Sequence, residues 1–148
     1  MADIVRRADV VWRGDLLQGT GTFDVGSGAL TAQAVSWPAR TEGPGGKTSP
    51  EELLAASHAS CYAMAFSHTL AEAGHPPQEL RVSASVTFEP LPAGGFKVGS
   101  SSLSVEGVVP GLDQAGFADL AAQGEAGCPI SNAIRGNVDI SVEATLAG

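Results

Sequence analysis

The chain switches repeatedly between two hydrophobic periods. Three short alternating runs come first, at residues 9–12, 19–25 and 29–37, with Gly14-Asp15 and Gly26-Ser27-Gly28 as the turns between them. They predict three short strands. Residues 38–49 carry Pro44, Gly45 and Gly46 and read as a loop. At Ser49-Pro50-Glu51-Glu52 the pattern changes to helix. Ser49 suits the N-cap, Pro50 the first helical position, and the two glutamates face the positive end of the dipole. Glu52 stands three residues after Ser49, the capping-box spacing. This helix is predicted to run to about Ala73, with Gly74 as its stop and Pro76-Pro77 beyond. Between Leu53 and Leu70 it is apolar or small almost all round, which predicts burial on most sides and a central place in the assembly.

Period two returns at residues 80–88, followed by a turn at 90–95 and a second strand at 96–109 with a bulge within 99–102. Residues 112–125 read as a second helix, with Phe117, Leu120 and Ala121 at helical spacing and Gly127 as its stop. A third, shorter helix starts at Cys128-Pro129. Residues 138–146 form the cleanest alternation in the chain. The order is strands, helix, strands, helices, strand, an α+β pattern. There is no repeat, linker or low-complexity tract, so one domain, 1–148, is expected.

Composition narrows the function classes. Of 148 residues, 43% are apolar and only 16% charged, against about a quarter charged in typical soluble domains. The shortfall predicts surface hidden in an oligomer. The net charge is −8 and the eight Lys and Arg are scattered. That excludes phosphate-tracking nucleic-acid binding and disfavours anionic membranes. No apolar run approaches the roughly 20 residues of a membrane span, and the first residues carry no secretory signal. A cytoplasmic location is the expectation. In that reducing compartment a disulfide would be transient, catalytic or redox-sensing.

Two cysteines, Cys61 and Cys128, then become the candidates for chemistry. Cys128 precedes Pro129 at a helix start, where free backbone N–H groups and the dipole favour a thiolate. A small apolar residue packed at a helix start fits the same position. Cys61 lies mid-helix among apolar residues, where free cysteine is ordinarily core and burial alone would keep it protonated. To react it needs a cation. His58, one turn earlier, reads as a packed core histidine, as do His68 and His75, and the metal signal is weak. Arg40 is the stronger partner: its guanidinium keeps its charge and pairs bidentately with a carboxylate such as Glu51 or Glu42. An exposed loop arginine is the alternative reading of Arg40.

Arg40-Thr41-Glu42-Gly43, the run from Thr48 to Cys61, and Gly127-Cys128-Pro129-Ile130-Ser131-Asn132 together resemble the osmotically inducible protein C and organic hydroperoxide resistance (OsmC/Ohr) family, over essentially the whole chain. The opening Trp12-Arg13-Gly14-Asp15 and the placement of the arginine loop resemble the OsmC branch. The resemblance implies an OsmC-like fold, with antiparallel sheets wrapped around long central apolar helices in an intertwined homodimer. It implies a thiol peroxidase acting on organic hydroperoxides and less efficiently on hydrogen peroxide. Cys61 matches the peroxidatic cysteine that becomes a sulfenic acid, and Cys128 the resolving cysteine that closes a disulfide. Arg40 matches the arginine that stabilises the thiolate and polarises the peroxide, and Glu51 the acid that holds it. No metal or organic cofactor is implied, and an external dithiol, a lipoylated protein in the Ohr branch, would re-reduce the disulfide. Thr41 departs from the pattern, which has an aromatic residue there.

Helix geometry adds a constraint. Ten residues separate Glu51 from Cys61, about 15 Å along a straight helix, too far for both to meet one guanidinium. Either the helix breaks early or the site combines two chains, and the all-round apolar helix favours an obligate homodimer. Two other classes stand beside the enzyme: a redox-sensing or small-molecule-binding protein on the same scaffold, and a structural dimer with inert cysteines.

Overall fold

The computed structural model describes all residues 1–148, with the elements β1 (Ala8–Arg13), β2 (Thr20–Val25), β3 (Gln33–Val35), α1 (Trp37–Thr41), α2 (Pro50–Glu72), β4 (Glu79–Pro90), β5 (Phe96–Val108), α3 (Gln114–Ala126), α4 (Pro129–Ile134) and β6 (Asp139–Leu146). They fall into two compact units, Met1–Leu53 and Leu54–Gly148, whose boundary lies in the first turn of α2.

The first unit is a small antiparallel sheet of order β1-β2-β3 followed by α1. Gly21 pairs with Trp12 across β1 and β2, and any side chain at 21 would collide with the indole. β3 is shorter than its alternation predicts. Asp24 Oδ1 accepts the Ala32 N–H at 2.7 Å, and Leu30 O accepts the Val25 N–H at 3.0 Å. These bonds turn 26–32 into a loop, with Ala32 at φ 50°. At the other end Ser36 leaves the strand to cap α1, its hydroxyl accepting the Ala39 N–H at 3.2 Å. The loop expected from residue 38 therefore begins as a short helix, started by a serine cap and a proline in the first turn.

The second unit holds the core. α2 ends as its sequence requires. Gly74 takes φ 86°, and the His75 N–H returns to Leu70 O at 2.8 Å, a left-handed cap that only glycine adopts cheaply. Along α2 the residues His58, Tyr62, Phe66 and Leu70, spaced four apart, are fully buried. Ala56, Ser60, Met64 and His68 on another face are exposed. Within one chain, then, α2 is buried on one face, where the sequence pattern predicted most sides. The buried face packs with Leu103, Val105, Val109, Phe117, Ala121 and Cys128, and Phe66 meets the Phe117 ring at 5.1 Å. Each fully buried side chain of this size contributes roughly 1.5–3 kcal/mol of burial free energy. Gly124 lets α3 close on the Phe66 backbone, and Gly107 lets the Phe117 ring lie on β5.

The second sheet has the order β4-β5-β6. β4 and β5 pair antiparallel, with the register shifting between Thr87 and Phe88 so that Gly99 is the extra residue; this is the bulge expected at 99–102. β6 departs from the expected antiparallel arrangement and lies parallel to β5, Ser100 opposite Asp139 and Gly107 opposite Leu146. A parallel neighbour needs a crossover of a dozen or more residues, and α3 with α4 supplies it.

Candidate functional site

Two constellations carry the candidate residues, one in each unit. In the first, Arg40 lies in the last turn of α1 and Glu51 in the first turn of α2. Arg40 Nε lies 3.1 and 3.0 Å from the two carboxylate oxygens of Glu51, and Nη2 lies 2.7 Å from Oε1. This fork is geometrically specific in a way a lysine could not reproduce. Glu51 is nearly buried and the Arg40 side chain is 30% exposed, so the cation is held but still reachable. Glu51 also sits in the first turn of α2, where the helix dipole favours its negative charge. The Arg40 guanidinium carbon lies 5.9 Å from the centre of the Trp37 ring. Around it a cleft of about 210 Å³ is lined by Trp12, Leu16, Val35, Ser36, Trp37 and Pro50. Of the two carboxylates open to Arg40 in the sequence, Glu51 is the one it takes. Thr41 turns its hydroxyl back onto Trp37 O at 2.9 Å, and the aromatic surface beside the guanidinium comes from Trp37, one helical turn earlier.

In the second constellation α2 brings Cys61 against α4. Cys61 is half-buried and Cys128 fully buried, both as free thiols. Cys128 is the N-cap of α4, and its sulfur accepts the Ser131 N–H at 3.5 Å. Cys61 packs against the buried cluster that contains Cys128, as does Ile130. Burial pushes the Cys61 thiol up, and the neighbouring Cys128 thiol adds to the rise, while the Ile130 N–H opposes them. The two cysteines singled out by the sequence are therefore brought together, 67 residues apart in the chain (128 − 61).

The same face of α2 carries His58, one turn before Cys61. Its Nδ1 lies 2.6 Å from Ser101 Oγ on β5, and its Nε2 lies 2.7 Å from Ser131 Oγ on α4. All three residues are fully buried. Burial lowers the histidine pKa, Glu125 opposes that and Arg135 assists it. The packed-core reading of His58 thus holds, but the two serines were not singled out by sequence. A signal existed for Ser101: it occupies the inward register of β5 together with Leu103, Val105 and Gly107, and a polar residue in that row requires a buried partner.

α2 runs unbroken from Pro50 to Glu72. That removes the alternative in which an early break lets Glu51 and Cys61 meet one guanidinium. No group of three or more His, Cys, Asp or Glu is placed to hold a metal ion, and no helix is long and apolar enough to cross a membrane.

Comparison with known proteins places the chain. Residues 43–143 match the family model described as OsmC-like protein. Peroxiredoxin OsmC of Escherichia coli strain K12 is 35% identical over 140 residues, covering 95% of this chain and 96% of that protein. An organic hydroperoxide resistance protein of Xanthomonas axonopodis pv. citri is 35% identical over 116 residues, covering 77% and 78%. The crystal structure of an organic hydroperoxide resistance protein OsmC from Legionella pneumophila superposes with a TM-score of 0.76 at 28% identity, covering 98% of this chain and 99% of that one.

Proposed function

The chain belongs to the OsmC-like protein family, and from that premise we propose that it is a thiol-dependent peroxidase, a single OsmC-like domain over residues 1–148, that reduces organic hydroperoxides and, less efficiently, hydrogen peroxide. The observation that carries this reading is that two free thiols, Cys61 on α2 and Cys128 at the start of α4, pack in one cluster. A protein that only bound a ligand would need neither.

Cys61 attacks as its thiolate. The sulfur bonds to one peroxide oxygen, the O–O bond breaks, and the alcohol leaves after taking a proton; Cys61 is now a sulfenic acid. Because burial raises the Cys61 pKa, the thiolate needs a fixed cation. We assign that role to Arg40, positioned by Glu51, in the assembled protein, where it also stabilises the departing oxygen. Cys128 then attacks the sulfenic sulfur, a disulfide forms and water leaves. An external dithiol, a lipoylated protein being one of this chemical class, returns both thiols. The assembly is a homodimer that acts in the cytoplasm. Val10 and Val11 on β1, Leu16, Leu17, and Met64 on α2 are exposed apolar side chains, the kind of surface a second copy covers.

A second reading, a slow redox sensor or small-molecule-binding protein on the same scaffold, draws on the raised Cys61 pKa alone. Trapping separates the two. With Cys128→Ser and organic hydroperoxide, the peroxidase reading expects the Cys61 thiol to be lost within seconds to a sulfenic acid that dimedone then traps; a thiol that reacts only over hours contradicts it.

A further inference from the structure

His58 is buried, titratable and unused by the steps above. We infer that it is a positioning residue that tethers α4 to α2 so that Cys128 captures the Cys61 sulfenic acid before a second peroxide does. The inference rests on the peroxidase reading and adds a determinant of its second step.

α4 has only six residues, Pro129–Ile134. A helix that short does not hold its own orientation in water, so its position is set by what grips it. Asn132 Nδ2 donates to Ala126 O of α3 at 3.3 Å, and two further grips hold the ends of α4. At its C-terminal end Arg135 meets Glu125 of α3 at 2.9 Å. At its N-terminal end Ser131 is held by His58 Nε2 at 2.7 Å. Ser131 acts on both sides of the thiol pair, because its own N–H reaches the Cys128 sulfur at 3.5 Å. Cys61 lies three residues beyond His58 on α2 and packs against the cluster that contains Cys128, as does Ile130. α2 therefore touches the start of α4 through two adjacent residues of one face: His58 sets the register and Cys61 does the chemistry. The second imidazole nitrogen is bonded to Ser101 of β5 at 2.6 Å, which anchors the tether in the sheet. An apolar residue at 58 would leave two buried hydroxyls without a partner, and only a ring with a polar atom on each side spans them.

The timing of capture is what the tether controls. In capture the Cys128 sulfur gives two electrons to the Cys61 sulfur, the S–O bond breaks, the S–S bond forms, and the oxygen leaves as water with the Cys128 proton. In the competing reaction a second hydroperoxide oxidises the sulfenic acid to the sulfinic acid and departs as alcohol, and that product does not return. Small misplacement of a reacting group slows a step far more than it disturbs the fold.

The experiment titrates reduced wild type, Ser131→Ala, His58→Phe and Ser101→Ala with cumene hydroperoxide and reads the sulfinic-to-disulfide ratio by mass spectrometry. Stopped-flow fluorescence follows the first oxidation separately. Ser131→Ala and His58→Phe are expected to raise the ratio by about tenfold or more, with a much smaller effect on the first oxidation. Ser101→Ala, which spares the link to α4, is expected to raise it less. A Ser131→Ala protein that partitions as wild type, or one whose first oxidation slows as much as its capture, overturns the inference, and this variant decides if His58→Phe does not fold. A wild type that forms no disulfide overturns the peroxidase reading itself.

Discussion

The two constellations are built from opposite physical materials. Around Arg40 the chain spends charge on charge: a guanidinium and a carboxylate face each other on two helix ends, beside a cleft open to solvent. Around Cys61 it uses two thiols, one half-buried and one buried, with a buried imidazole and two buried hydroxyls, both imidazole nitrogens being partnered. Glu51 is nearly buried while Arg40 is partly exposed, so losing the guanidinium strands a carboxylate and costs some stability, and a buried hydrogen-bonded group in the second region likewise destabilises when it loses its partner. Activity should therefore fall further than stability in the first region, whereas in the second a lost hydrogen-bond partner should bring a stability loss alongside any defect in capture.

The largest expected effect tests the first half of that contrast. Arg40→Ala should slow oxidation of Cys61 by about a hundredfold to a thousandfold, the cost of one electrostatic donor at a reacting oxygen, while lowering stability by a smaller amount, about 1–2 kcal/mol, because the nearly buried Glu51 carboxylate loses its partner. Stopped-flow oxidation and urea melts on the same sample check both numbers. Equal losses in rate and stability would break the comparison. Glu51→Gln keeps the shape and removes the charge, and should cost about tenfold in the same assay, as a group acting only through Arg40 would.

The second region is tested by Phe66→Ala, which empties the place where α2, α3 and the Phe117 ring meet. It should cost about 3–5 kcal/mol, read as a lower urea midpoint with an unchanged slope. The smallest effect concerns pH. His58 faces Glu125 from α3 and Arg135 at the end of α4, and burial holds its pKa below the ordinary 6.5. The neutral ring is thus favoured in the folded state. That contribution is complete above pH 6.5 and is lost as pH falls from there through the depressed value, because the unfolded chain takes the proton first. It amounts to about 1.4 kcal/mol for each unit of depression. His58→Phe should remove this acid slope from a plot of melting temperature against pH; an unaltered slope would assign it to other groups.

Most of this architecture is legible in the sequence, and the exceptions have physical causes. Gly74, Ser49 and Pro50 bound α2 because caps are local chemistry. The Gly99 bulge and the start of α4 at Pro129 are legible for the same reason. Residues 36–41 mislead because an alternating run and a serine cap share Ser36, and the cap wins. The direction of β6 is invisible in its own alternation, which is identical for parallel and antiparallel pairing; only the helical crossover before it carries the information. At the site, the chemistry-bearing types Cys61, Cys128, Arg40 and Glu51 stand out locally. Ser101 and Ser131 do not, since a serine's value here depends on His58, a partner 43 or 73 residues away.

The central claim is that two thiols act in sequence on one hydroperoxide, and it is tested most directly by counting thiols. Reduced wild type is mixed with one equivalent of cumene hydroperoxide, quenched over seconds, and its free thiols and intact mass are measured. Loss of both thiols together, with a mass lower by two hydrogens and no added oxygen, is the expected result. Thiols that survive the peroxide, or loss of one thiol with a retained oxygen in wild type, would contradict it.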